Sequence, residues 1–260
     1  MKHSGRAMRL VVEMKIFFRL LFCAALPLVG AILARADEFD SAGVKIHYVV
    51  AGQGEPVILI HGLGSSAAMN WGMPGITAEL AGHYQVIALD CRGHGQSGKP
   101  EAEGAYGTNM VGDIVRLMDH LHIARARMVG YSMGGMITMK LLATHPERVS
   151  AAVLGGMGWH KADAPMNRFW ENAGGKGRVN APAACMHGFP ALGVTEAEIK
   201  AVKVPVAIIV GDRDPCRRMY VEPLQQVRPD WPVPIIADAG HLNCILKPDF
   251  KTQLVAALGR

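Results

Sequence analysis

The chain has 260 residues, with 27 Lys and Arg against 22 Asp and Glu and a formal net charge of +5. The excess sits at the front. Residues 1–36 hold Lys2, Arg6, Arg9, Lys15, Arg19 and Arg35 against one acid, Glu13, and the remainder carries 21 of each sign. A charge-balanced body without a basic run or an aromatic-interleaved basic patch excludes nucleic acid as an expected partner.

The first predicted element is a leader. The basic segment to Arg19, the apolar stretch Leu20 to Leu33 and Ala34-Arg35-Ala36 before Asp37 have the form of a secretory signal peptide cut after Ala36. This predicts a periplasmic or secreted protein. The apolar stretch is shorter than the roughly 20 residues a spanning helix needs, and Pro27 interrupts it, so no membrane span is expected after cleavage.

Strand and helix signals then alternate. Lys45–Val50 alternates in polarity like an exposed antiparallel strand, whereas Pro56–Ile60 is continuously apolar, as a strand buried on both faces would be. Val86–Leu89 is a third strand. Asn109–Leu121 sets Met110, Ile114, Leu117, Met118 and Leu121 on one helical face. Ala126–Val129 predicts a strand leading into Gly130-Tyr131-Ser132-Met133-Gly134-Gly135 and a helical run, Met136–Leu142. Further strands are expected at Val149–Leu154, Pro205–Val210 and Val233–Ile236, with a closing helix over Phe250–Leu258. Buried strands separated by amphipathic helices give an α/β fold with a mostly parallel central sheet flanked by helices.

Met157 to Lys203 breaks the alternation. It carries Gly174 to Gly177, Trp159, Phe169 and Trp170, and a capping-box start at Thr195-Glu196-Ala197-Glu198. It predicts a short cap, residues 157–203, inserted into a core formed by residues 37–156 and 204–260. Beyond the leader lie four cysteines, Cys91, Cys185, Cys216 and Cys244. In an oxidising compartment the expected candidate bridge is Cys216–Cys244, which would tie two loops together. No metal-ligand spacing is present, so neither a metal nor another cofactor is expected.

The stretch from Gly130 to Gly134 reads G-x-S-x-G between a strand and a helix, the sequence form of a nucleophile elbow. The turn is tight enough to demand glycine on both sides of the serine. His61-Gly62, Asp90-Cys91-Arg92, Gly211 to Asp214 and Gly240-His241 likewise end predicted strands, on the edge of a parallel sheet where ligands bind. Together with His61-Gly62-Leu63-Gly64 and Asp90 to Ser97, these blocks resemble the α/β-hydrolase family in order and spacing, over about residues 44 to 258.

The resemblance implies Ser132 as nucleophile, His241 as base and Asp214 as the acid that orients it, with Asp212 as the rival for that place. It implies Leu63 and Met133 as donors of the oxyanion-binding amides. Asp90 and Arg92 are expected to brace their loop, and Trp71, Met157 and Trp159 to line an apolar substrate pocket. The implied activity is an exported serine hydrolase acting on a small-molecule carboxylic ester through an acyl-enzyme, without cofactor. Acyl transfer, carbon–carbon bond hydrolysis and perhydrolysis share the same triad, and a non-catalytic binding protein on this fold is the alternative of a different class.

Overall fold

The computed structural model describes residues 34–102, 104–163, 168 and 181–259, all within one compact unit. The expected leader lies outside these residues except for Ala34, Arg35 and Ala36. Among the described residues no helix is long and apolar enough to cross a membrane.

Eight strands form one sheet: β1 (Arg35–Ser41), β2 (Val44–Ala51), β3 (Pro56–Ile60), β4 (Gln85–Leu89), β5 (Ala126–Tyr131), β6 (Val149–Gly155), β7 (Val206–Gly211) and β8 (Ile235–Ile236). Their spatial order is β1-β2-β4-β3-β5-β6-β7-β8, with the β1–β2 and β2–β4 pairs antiparallel and the rest parallel. Central strand β3 sets Ile60 opposite both Leu89 of β4 and Gly130 of β5, so three strands end at one level. That shared edge carries the loops of the candidate site.

Alternation along these apolar strands divides the core in two. Ile58, Ile60, Ile87 and Leu89 face α2 (Thr108–His120) and α3 (Met133–Thr144). Val57, Leu59, Val86 and Ala88 face α1 (Ile76–Leu80) and α7 (Pro248–Leu258), where Phe250, Leu254 and Leu258 are fully buried. Both faces being covered explains why the strands read as unbroken apolar runs.

Strand β1 had no sequence signal of this kind. Its Arg35, Asp37, Glu38 and Asp40 point outward or sit half-buried while Phe39 and Ser41 are buried, the charged pattern of an edge strand. The last two residues of the expected leader, Arg35 and Ala36, pair with Val50 and Val49.

Between β6 and β7, the described part of the insertion contains α4 (Ala183–His187), a 3-10 turn (Phe189–Leu192) and α5 (Glu196–Ala201). Both hydrogen bonds of the Thr195–Glu198 capping box form. Cys185, Phe189, Leu192 and Ile199 are buried in the core against α3, so this half is anchored to the sheet layer. Phe169, Trp170 and Gly174 to Gly177 lie outside the described residues. Another helix, α6 (Glu222–Val227), precedes β8.

One expectation is corrected. The Cys216–Cys244 bridge is absent: all four described cysteines are free thiols, and Cys244 is buried in one core layer while Cys216 packs against the other. Burial pushes the Cys185, Cys216 and Cys244 thiols up to about 12, which keeps them protonated. Asp90 braces its loop by accepting the Gln96 amide at 2.9 Å, and Arg92 ties that loop to its surroundings. Its guanidinium forks onto Asp113 of α2, with Nε and Nη2 each 2.6 Å from a carboxylate oxygen, and Nη1 donates to the Ala105 carbonyl. Asp113 also accepts from Ser41 Oγ at 2.5 Å and Arg116 Nη2 at 3.1 Å, tying β1 and the loop after β4 to one helix.

Removing the Asp113 carboxylate leaves Arg92 buried without its partner. We expect Asp113→Ala to lose about 3 kcal/mol or more of unfolding free energy by urea titration, against far less for cutting the exposed Lys200–Glu196 pair.

Candidate active site

Ser132 stands between β5 and α3 with φ 54° and ψ −112°, a left-handed conformation a side-chain-bearing residue adopts only under constraint. The constraint comes from its neighbours. A Cβ on Gly130 would lie 2.1 Å from the Gly134 carbonyl oxygen, and one on Gly134 would lie 2.0 Å from that of Ile60. Only glycine permits this approach of elbow to strand. Ser132 occupies the N-cap position of α3, yet its hydroxyl makes no capping bond. Oγ instead lies 2.8 Å from Nε2 of His241.

His241 follows β8 and a short turn. Its Nδ1 is 2.9 Å from Oδ2 of Asp214, whose side chain is fully buried. An ionised carboxylate can only accept, so Nδ1 carries the proton and the Nε2 lone pair faces the Ser132 hydroxyl. Asp214 also accepts from the Cys216 amide at 2.8 Å, whereas Asp212 accepts from the Ala239 amide at 2.9 Å and caps the loop. Of the two acids, Asp214 contacts the His241 ring and Asp212 contacts the Ala239 amide.

The turn after β3 lies beside the serine. A Cβ on Gly62 would be 3.4 Å from that of Ser132. Among the described residues neither the Leu63 nor the Met133 amide donates to a protein acceptor. Met133 opens α3, where unpaired amides and the helix dipole favour developing negative charge.

Three supporting residues had no sequence signal for these roles. Asn70 Oδ1 accepts from the Gly62 amide at 2.7 Å and fixes the turn. Tyr131 donates its hydroxyl to the His241 carbonyl at 2.5 Å, so the residue before the nucleophile pins the base's loop. His61, fully buried, donates from Nδ1 to the Gly62 carbonyl at 2.7 Å and accepts the Cys91 amide at Nε2, 3.0 Å.

Ser132 and His241 open into a cleft of about 390 Å³ that also holds Leu63, Asn70, Leu242 and Leu246. The expected pocket residues lie elsewhere. Trp71 is fully buried under α1 in the opposite core layer, Met157 is buried against Gly135, and Trp159 donates its ring N–H to the Val194 carbonyl within the insertion. Each satisfies packing that apolar composition alone could not distinguish from ligand contact. A larger hollow, about 640 Å³, is lined by Arg213, Arg217 and Arg218 with Asp212 and Glu222, and contains neither Ser132 nor His241.

Among the described residues, one trio could offer ligand atoms to a metal ion: Asp214, Cys216 and His241, all within 4.8 Å. Asp214 and His241 already bond each other, and the Cys216 thiol, raised by burial and by the Asp214 charge, surrenders its proton poorly. The arrangement suits proton transfer better than metal ligation.

A family described as the alpha/beta hydrolase fold matches residues 55–176, the segment carrying the turn after β3 and the elbow. The chain has the α/β-hydrolase fold. It is 36% identical over 126 residues to a 2-hydroxy-6-oxo-6-(2'-aminophenyl)hexa-2,4-dienoic acid hydrolase of Metapseudomonas resinovorans, covering 47% of this chain and 43% of that protein. A 40% match over 111 residues to a non-heme bromoperoxidase described as putative, from Mycobacterium tuberculosis, covers 43% of this chain and 41% of that one. These matches span less than half the length of the curated relatives. Whole-chain similarity is structural. A thermophilic esterase from Thermogutta terrifontis superposes with TM-score 0.74 at 22% identity, over 87% of this chain and 98% of its own. A 2-hydroxy-6-oxo-6-phenylhexa-2,4-dienoate hydrolase from Rhodococcus gives 0.72 at 22% identity, over 88% and 100%.

This hydrolase fold should weaken in mild acid. Burial first, and the neighbouring His94 second, lower His61 to about 4 from an ordinary value near 6.5. The neutral ring is the folded form, so its stabilisation is complete above about pH 6.5 and is lost as pH falls towards 4. We expect thermal midpoints to drop by several degrees across that interval, and His61→Gln to flatten the slope.

Proposed function

We propose that the protein is an exported serine hydrolase that cleaves carboxylic esters through an acyl-enzyme. The observation that carries this reading is the unbroken row of hydrogen bonds Ser132–His241–Asp214 at the base of an open cleft. In the proposed cycle His241 Nε2 takes the hydroxyl proton as Ser132 Oγ attacks the ester carbonyl. Asp214 holds the ring and stabilises its charged form. The Leu63 and Met133 amides receive the oxyanion. His241 then protonates the departing alcohol, and water, activated by the same ring, releases the acid.

Ester cleavage is preferred to carbon–carbon bond hydrolysis on the chemistry of the cleft. The Metapseudomonas and Rhodococcus proteins are named for dienoic acid and dienoate substrates, which bear a carboxylate. Among the described residues, this cleft offers no Lys or Arg to receive one. Burying an unpaired carboxylate is costly, so a neutral ester fits better. Export rests on the leader-like composition of residues 1–36.

The test is covalent labelling by a fluorophosphonate probe followed by turnover of p-nitrophenyl acetate. Wild type should label and Ser132→Ala should not; an unlabelled wild type would remove the serine-hydrolase reading. Asp214→Asn should reduce kcat by roughly three to four orders of magnitude, and Asp212→Asn by far less. Hydrolysis of a dienoate ketone faster than of any ester would favour the carbon–carbon alternative.

The Asn70 bond gives a separate expectation. Asn70→Ala should lower kcat roughly ten- to a hundredfold with little change in KM or thermal midpoint, because the oxyanion turn loses its anchor while substrate contacts persist.

A further inference from the structure

Six large apolar side chains are exposed among the described residues, and four of them, Met69, Met73, Leu242 and Leu246, line the cleft of Ser132 and His241. Their exposures are 55%, 80%, 87% and 61%. Leaving such a side chain in water forfeits the free energy that its burial would recover. A single exposed residue of this kind is unremarkable; four converging on the one cleft with a nucleophile are a patch with a purpose.

The four come from two segments that also carry the chemistry. Met69 and Met73 belong to the short helical turn of Ala68–Gly72 and its immediate end, which also carries the anchor Asn70. Leu242 follows the base directly, and Leu246 closes the next 3-10 turn, Cys244–Leu246. The described lining has no Asp, Glu, Lys or Arg, and its volume of about 390 Å³ is within the range of small-molecule sites. Two methionines suit an occupant of variable shape, since an unbranched thioether adapts to irregular contact.

We propose that this apolar lining is a subsite for the hydrocarbon part of the substrate, making the preferred substrate a neutral ester with an aliphatic or aryl group of several carbons. The occupant is continuous with the reacting carbonyl, because the patch and the nucleophile share one cleft. This inference rests on the ester-cleaving reading and adds to it the class of ester. It also moves the substrate-binding surface from Trp71, Met157 and Trp159 to the opposite, open rim.

Two series of dissolved substrates test it: p-nitrophenyl esters from acetate to octanoate, which vary the acyl chain, and acetates of alcohols of increasing length. In one series kcat/KM should rise about twofold per methylene, reaching about tenfold or more by four added carbons, as for partial burial of each group. The series that rises identifies the acyl or the alcohol side as the occupant. In Met73→Ser/Leu242→Ser the rise should shrink to within about twofold, while the thermal midpoint stays at the wild-type value. A wild type that labels but shows no rise in either series would overturn the subsite and leave the serine hydrolase standing; a wild type that fails to label would remove both. A slope unchanged in the double variant also overturns it. So would a dimer in sedimentation that the variant dissociates, or a rate that rises only above the substrate's aggregation concentration; these would assign the patch to a second copy or to a lipid surface.

Discussion

The structure is organised around one steric constraint, the contact of the elbow with the end of the central strand. Ser132 is held at positive φ because Gly134 packs against the Ile60 carbonyl and Gly130 against the Gly134 carbonyl. No capping bond repays this conformation; the surrounding packing does. Because β3 and β5 pair in register at Ile60 and Gly130, the same contact sets the distance between Ser132 and the turn after β3. The site is thus a property of sheet register as much as of loop sequence.

Its second component, the base, depends on two far segments meeting the elbow. The chain solves this by letting Tyr131 reach from β5 to the His241 carbonyl, while Asp214 at the end of β7 reaches the ring from below. Ser132, Asp214 and His241 therefore hang from the ends of parallel strands of one sheet, β5, β7 and β8, with β6 between the first and the other two.

Much of this was legible in the residues. Five of the eight strands, β3 to β7, carry apolar runs, because burial on both faces leaves no room for polar alternation, and Gly130 and Gly134 announce a turn that tolerates no Cβ. Strand β1 was not legible: an edge strand with charges outward looks like a linker. Nor was the lining of the cleft. Trp71 and Met157 are as apolar as Met73 and Leu242, and only three-dimensional placement separates a buried side chain from an exposed one. Arg92 illustrates a third limit. Its partner, Asp113, is 21 residues away on a helix whose apolar face masked it in sequence.

The bonds around His61 tie the oxyanion turn to matter far from the cleft. His61 holds the Gly62 carbonyl and accepts from Cys91, whose neighbour Arg92 is clamped by Asp113, which in turn grips Ser41 at the sheet's outer margin. A margin so connected is more than a border. Wear there, as fraying or as a lost hydroxyl, would reach the reacting centre as a loosened turn before the molecule as a whole gave way.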